Sequence, residues 1–109
     1  MLRVIDRGTI DEAAGRLLEA APDGSRVFLF GSYARGEADP GSDVDFLVVE
    51  PEVEDRYGEM VRLREAMRPL DIFADVLVVS ECVFEDWRDD PNTVIRGAVR
   101  EGRVYERAP

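Results

Sequence analysis

A mixed α+β fold is what this chain predicts, with a small mixed sheet and helices packed mainly on one side of it. Short runs rich in Val, Leu and Phe have strand length, and segments with apolar residues at helical spacing alternate with them. Clusters of Gly, Pro and Asp mark the joints. In chain order the elements read α-β-α-β-α-β-α-α-β, expected as a single domain over residues 1–109.

Each element has its own signal. Thr9-Ile10-Asp11-Glu12 reads as a capping box with Thr9 as N-cap, and Ile10, Ala13, Ala14, Leu17, Leu18 and Ala21 form one apolar stripe. Pro22-Asp23-Gly24 ends that helix. Val27 to Phe30 is a wholly apolar strand, hence a central one, and Ser32 to Arg35 suits a brief helical turn. Gly36 to Ser42 is a loop of turn residues, and Asp43 to Val49 is a second strand closed by Pro51. Val53, Tyr57, Met60, Leu63, Met67 and Leu70 mark a second amphipathic helix ending near Pro69. Phe73 to Val79 is the third strand. Ser80 caps a short helix with Val83, Phe84 and Trp87, and Asp90-Pro91 reads as an N-cap and first position for a helix through Val99 that Gly102 ends. Arg103 to Glu106 makes a last edge strand.

Composition removes several kinds of chemistry. There is no histidine, all 14 basic residues are arginine, and Cys82 is the single cysteine. Lysine phosphate loops, Schiff bases, histidine acid–base catalysis, an internal disulfide and a structural zinc site are therefore excluded. Cys82 is expected as a small packing residue on a helix. The net charge of −10 opposes diffuse binding to a nucleic-acid backbone and suits a basic protein partner or a metal-neutralised nucleotide. With no membrane-length apolar stretch and no signal-like N-terminus, a cytoplasmic setting is the expectation.

The chemistry concentrates in one block. Phe28-Leu29-Phe30 runs into Gly31-Ser32, and after a spacer of ten residues Asp43-Val44-Asp45 opens the next apolar run. Residues i and i+2 of a strand share a face, so Asp43 and Asp45 point the same way. Two like charges about 6 Å apart repel by about 3 kcal/mol at an effective dielectric near 20. A divalent cation turns that repulsion into a ligand set, and oxygen donors suit magnesium. Taken singly, Asp-x-Asp is a solvated strand end and Gly-Ser a turn; their joint order is what points to a site. Gly31 lets phosphates approach the backbone, and Ser32 offers a hydroxyl and an amide. Arg35 suits either a phosphate contact or a solvent-facing cation. Tyr33 reads as a packing residue. Asp75 is the one acid inside the third strand, where a lone carboxylate is costly unless solvated or paired: it reads either as a strand-end aspartate reaching water or as a partner of Asp43 and Asp45 across adjacent strands, and its place within the strand favours it over Asp71, which precedes the strand beside Pro69-Leu70.

The block Gly31-Ser32-Tyr33-Ala34-Arg35-Gly36 through Ser42-Asp43-Val44-Asp45-Phe46-Leu47-Val48-Val49 resembles the signature of the minimal nucleotidyltransferases, the smallest members of the DNA polymerase beta-like nucleotidyltransferase superfamily. The dense match covers roughly residues 28 to 49, and Phe46 stands where leucine is common. The resemblance implies the polymerase beta-like fold, with Asp75 completing a triad with Asp43 and Asp45. It further implies two magnesium ions, ATP as donor, and Asp75 helping to deprotonate the acceptor hydroxyl. Such proteins are often paired with a HEPN-domain RNase toxin, which the nucleotidyltransferase neutralises as antitoxin by transferring AMP to tyrosine. Two alternatives stay open: a catalytically inert antitoxin or binding module, and a small-molecule (antibiotic) nucleotidyltransferase. The short chain, with no room for an acceptor domain, disfavours the latter.

Overall fold

The computed structural model describes residues 4–107, which form a four-stranded mixed sheet with helices on both faces. In chain order these are α1 (Arg7–Ala20), β1 (Arg26–Phe30), α2 (Ser32–Arg35), β2 (Val44–Glu50), α3 (Arg56–Met67), β3 (Ala74–Ser80), α4 (Glu81–Trp87), α5 (Val94–Glu101) and β4 (Arg103–Glu106). A 3-10 turn, Arg68–Leu70, follows α3. The strand order is β3-β2-β1-β4, with β2 and β3 parallel and the other two pairs antiparallel. Parallel neighbours need a long crossover, and α3 supplies it.

The α+β class predicted from sequence holds, and the distribution of helices is now resolved. The two long helices, α1 and α3, do lie on one face, over Val27, Leu29, Val44, Phe46, Val48, Val76 and Val78. The two short ones, α4 and α5, cover the other, where Phe84, Ile95 and Ala98 pack on Phe28, Leu47 and Val49. The reason is β2: from Phe46 to Val49 every side chain is fully buried, so both of its faces need apolar cover. Phe28 stacks on Phe84 at 5.5 Å between centroids, with the Arg26 guanidinium over the Phe84 ring. Among the described residues no helix is long and apolar enough to cross a membrane.

Several expected boundaries move by a few residues, each for a capping reason. Asp6, not Thr9, caps α1, its carboxylate accepting the Thr9 N–H at 2.8 Å. Asp55 caps α3 by accepting from Gly58 N–H, so Val53 and Glu54 stay outside the helix. Thr93, not Asp90, caps α5, while the Asp90 carboxylate accepts from Asn92 in the preceding turn. Ser80 caps α4 as expected, and Tyr33 packs against the α1 side with its hydroxyl accepting from Ile5 N–H. Cys82, expected as a packing residue, is exposed, because α4 turns only Phe84 fully inward.

A carboxyl is buried at the C-terminal end of β2. Glu50 is 2% exposed, beside Glu59 of α3, whose two oxygens accept from Arg62 at 2.7 and 2.6 Å. Burial, then hydrogen bonding and repulsion from Glu59, push Glu50 up to about 8, whereas Arg62 first and Glu50 second hold Glu59 down at about 2.

Two outcomes are expected. A carboxyl held at about 8 when folded and near its ordinary value when unfolded stabilises the fold at low pH, and that contribution fades as pH rises from about 4.5 through 8. Glu50→Gln, which mimics the protonated form, should therefore gain on wild type by on the order of 1 to 3 kcal/mol between pH 5 and pH 9 in urea unfolding. The second concerns glycines: a Cβ on Gly102 would collide with the carbonyl oxygens of Ala98 and Leu29, whereas one on Gly15 meets nothing. Gly102→Ala should cost about 2 kcal/mol or more, and Gly15→Ala should add up to about 1 kcal/mol, in the same measurement.

Candidate active site

The sheet register assembles the candidate site. Antiparallel β1 ends at Phe30 opposite Asp45, so Gly31 and Ser32, the next residues, lie at the start of β2. Parallel pairing sets Asp45 of β2 directly beside Asp75 of β3. Strand alternation turns both toward the α4 and α5 face, the side of Leu47, Val49, Leu77 and Val79, but beyond the apolar cover. Asp43 lies just before β2, whose first ladder contact is Val44 N–H donating to Phe73 C=O at 3.1 Å. Asp43 and Asp75 are exposed and Asp45 is half-buried.

Of the two ways a lone carboxylate inside β3 avoids its cost, the solvated one is present: Asp75 is open to solvent, as is Phe73 at 72%. What distinguishes Asp75 is its register with Asp45. Asp71 stands apart: it ends the 3-10 turn in the left-handed region at φ 50°, outside β3, where aspartate is one of the few tolerated side chains.

Gly31 has φ 76°, and a Cβ there would run into the Asp45 carboxylate. The Asp45 side chain therefore rests against the bare Gly31 backbone. Ser32 begins α2, whose first amides have no intrahelical partner and receive no side-chain cap. Arg35 ends the same turn, and its guanidinium lies 3.5 Å from both Glu37 and Glu101. Of its two sequence-level roles, this is the carboxylate-facing, surface arrangement. Glu101 carries no signal of its own in the sequence, because its meeting with Arg35 depends on how α5 folds back over β1.

Charge at this corner is uncompensated. Burial first, then the negative charges of Asp75 and Asp43, raise the Asp45 carboxyl above the ordinary carboxylate range, with Arg35 pulling it partly back. Asp45 thus feels both of the other acids, although among the described residues no three acidic side chains stand close enough to enclose a metal ion. The donor set itself fits a hard divalent cation: all oxygen, excess negative charge, and a glycine where a side chain would crowd the carboxylate.

Solved structures share this fold. A candidate nucleotidyltransferase from Sulfolobus solfataricus superposes with TM-score 0.60 at 21% identity, covering 90% of this chain and 77% of that one. A toxin–antitoxin complex with AMP-PNP gives TM-score 0.56 at 21% identity, covering 94% and 75%. A tri-AMPylated Shewanella oneidensis HEPN toxin in complex with an MNT antitoxin gives TM-score 0.54 at 19% identity, covering 94% and 74%. A sequence search of curated proteins finds no match. The family model for the nucleotidyltransferase domain matches residues 10–106, which take in both cores, the Gly31-Ser32 corner and all three acids. The chain belongs to the nucleotidyltransferase domain family.

Proposed function

We propose that this nucleotidyltransferase is magnesium-dependent and acts as an antitoxin, transferring AMP from ATP to a tyrosine hydroxyl of a HEPN-type RNase toxin. The observation that carries the reading is the register of Asp45 with Asp75 beside Gly31. Support for the partner comes from the fold's likeness to the HEPN toxin–MNT antitoxin complex and to the toxin–antitoxin bound to AMP-PNP. The acidic balance of the chain suits docking onto a basic RNase in the cytoplasm.

Asp43, Asp45 and Asp75 would hold the metal, two ions in all. Magnesium supplies charge neutralisation for the triphosphate and for the attacking and leaving oxygens. Gly31 and Ser32 receive the outer phosphates through backbone amides and the Ser32 hydroxyl. Arg35, at the end of the same turn, can exchange its loose contacts with Glu37 and Glu101 for a phosphate oxygen. Asp75, exposed at the rim, accepts the proton of the incoming hydroxyl. The acceptor oxygen then bonds to the α-phosphorus, the bond to the bridging oxygen breaks, and pyrophosphate leaves.

A second reading is an antitoxin that works by binding alone. It is favoured by one observation, that no three described acids converge tightly.

Intact-mass spectrometry of a HEPN-type partner incubated with this protein, ATP and magnesium should show a gain of one or more AMP units. Asp43→Asn and Asp75→Asn should each reduce transfer by at least about 100-fold, while Asp71→Asn should leave it nearly unchanged. An unmodified partner that is silenced equally by wild type and Asp43→Asn would establish the binding-only reading.

A further inference from the structure

Surface apolar side chains scattered singly are ordinary and need no explanation. Phe73 is not placed that way. It is 72% exposed and stands immediately before β3, the outermost strand of the sheet, two positions ahead of Asp75. Its carbonyl accepts the Val44 N–H at 3.1 Å, so its backbone already belongs to the ladder with β2. Alternation gives Ala74 to the α1 and α3 side, and Phe73 and Asp75 to the other. On that side Phe30 pairs with Asp45, and Leu77 follows Asp75, both half-buried, so apolar side chains frame the acids. Phe73 is the exposed member of that frame, at an edge that no further strand covers among the described residues.

We propose that the Phe73 ring is the platform on which the ring of the accepting tyrosine stacks, a role that rests on the tyrosine transfer proposed above and makes Phe73 the residue that selects a phenol over an aliphatic hydroxyl. Direction favours this occupant. The sheet order puts Gly31 and Ser32 on one side of Asp45 and Phe73 on the other. With the outer phosphates at Gly31 and Ser32, pyrophosphate departs toward β1, and in-line displacement brings the attacking oxygen from the β3 side.

Reach favours it too. Residues i and i+2 of a strand lie about 6.6 Å apart. A tyrosine whose hydroxyl donates to Asp75 carries its ring over the neighbouring position, and that position is Phe73. A serine or threonine hydroxyl has no ring to place there. Aromatic pairs prefer offset or edge-to-face geometry with centroids about 4.5–7 Å apart, and the exposure of Phe73 leaves its ring open to such a partner. The chemical step is unchanged: the phenol proton passes to Asp75, and the phenol oxygen bonds to the α-phosphorus as the bond to pyrophosphate breaks. Phe73 exchanges no proton or electron and acts only on where the oxygen waits.

Single-turnover transfer in the preformed complex with a HEPN-type partner, at saturating ATP and magnesium and read by intact mass, tests this. Phe73→Ala should slow transfer by at least about tenfold, and Phe73→Leu, apolar but without a flat ring, by at least about threefold. Phe73→Trp, which keeps a flat ring, should stay within about twofold of wild type. Because Phe73 is exposed, all three variants should melt as wild type does. In calorimetry they should bind a non-hydrolysable ATP analogue with magnesium as wild type does. Equal transfer by wild type and Phe73→Ala, or Phe73→Leu matching Phe73→Trp, would overturn the platform and leave tyrosine transfer standing. Loss of nucleotide binding in Phe73→Ala would also overturn it, by assigning the ring to the adenine. A wild type that modifies no tyrosine of the partner would remove the transfer reading itself, and the platform with it.

Discussion

The pairing of β2 with its two neighbours is the constraint on which the rest depends. Parallel to β3 and antiparallel to β1, β2 brings the starts of two strands and the end of a third to one corner of the sheet. That one arrangement sets Asp45 beside Asp75 and beneath Gly31, although they lie far apart in the chain. Slipping any pairing by one residue would turn an acid into the core and an apolar side chain into water, so the apolar burial that stabilises the sheet also fixes the site. The fully buried stretch Phe46 to Val49 anchors the register on both faces at once.

The central strand is polar at both ends, and each end meets its charge problem differently. At the start, Asp45 is only half-buried and feels the charges of Asp75 and Asp43, with an excess of negative charge open to solvent. Under the proposed function, that excess charge is what a bound cation would neutralise. At the far end, Glu50 is enclosed by α3 and its carboxyl is pushed up to about 8, while Arg62 is engaged by Glu59. A buried carboxyl of this kind weakens the fold as pH rises.

The core and the order of elements were legible from local pattern, because apolar periodicity at Ile10 to Ala21 and at Phe46 to Val49 directly reports burial. The family membership was legible as well, through the Gly31-Ser32 and Asp43-Val44-Asp45 block. Caps were legible in part. Ser80 caps its helix as read, whereas Asp6 three residues before Thr9, and Thr93 three residues after Asp90, take the caps instead, because which capping side chain is used depends on where the chain enters the helix. Nonlocal contacts were not legible. Glu50, between an apolar run and Pro51, carries no signal of its own in the sequence; its burial comes with the packing of α3, which brings Glu59 and Arg62 beside it. The Arg35–Glu101 contact is hidden for the same reason. Asp75 does lie inside the third strand and Asp71 outside it, but that Asp75 reaches water and stands in register with Asp45 is set by the sheet pairing.

The central claim is that the acidic corner is a metal-dependent nucleotide site. Calorimetry with a non-hydrolysable ATP analogue, with and without magnesium, tests it most directly. The account requires nucleotide binding that appears only with magnesium and vanishes in Asp43→Asn/Asp45→Asn, whose fold without metal should be no less stable than wild type because a repulsion has been removed. Binding that is indifferent to magnesium, or equal in the double variant, would contradict it.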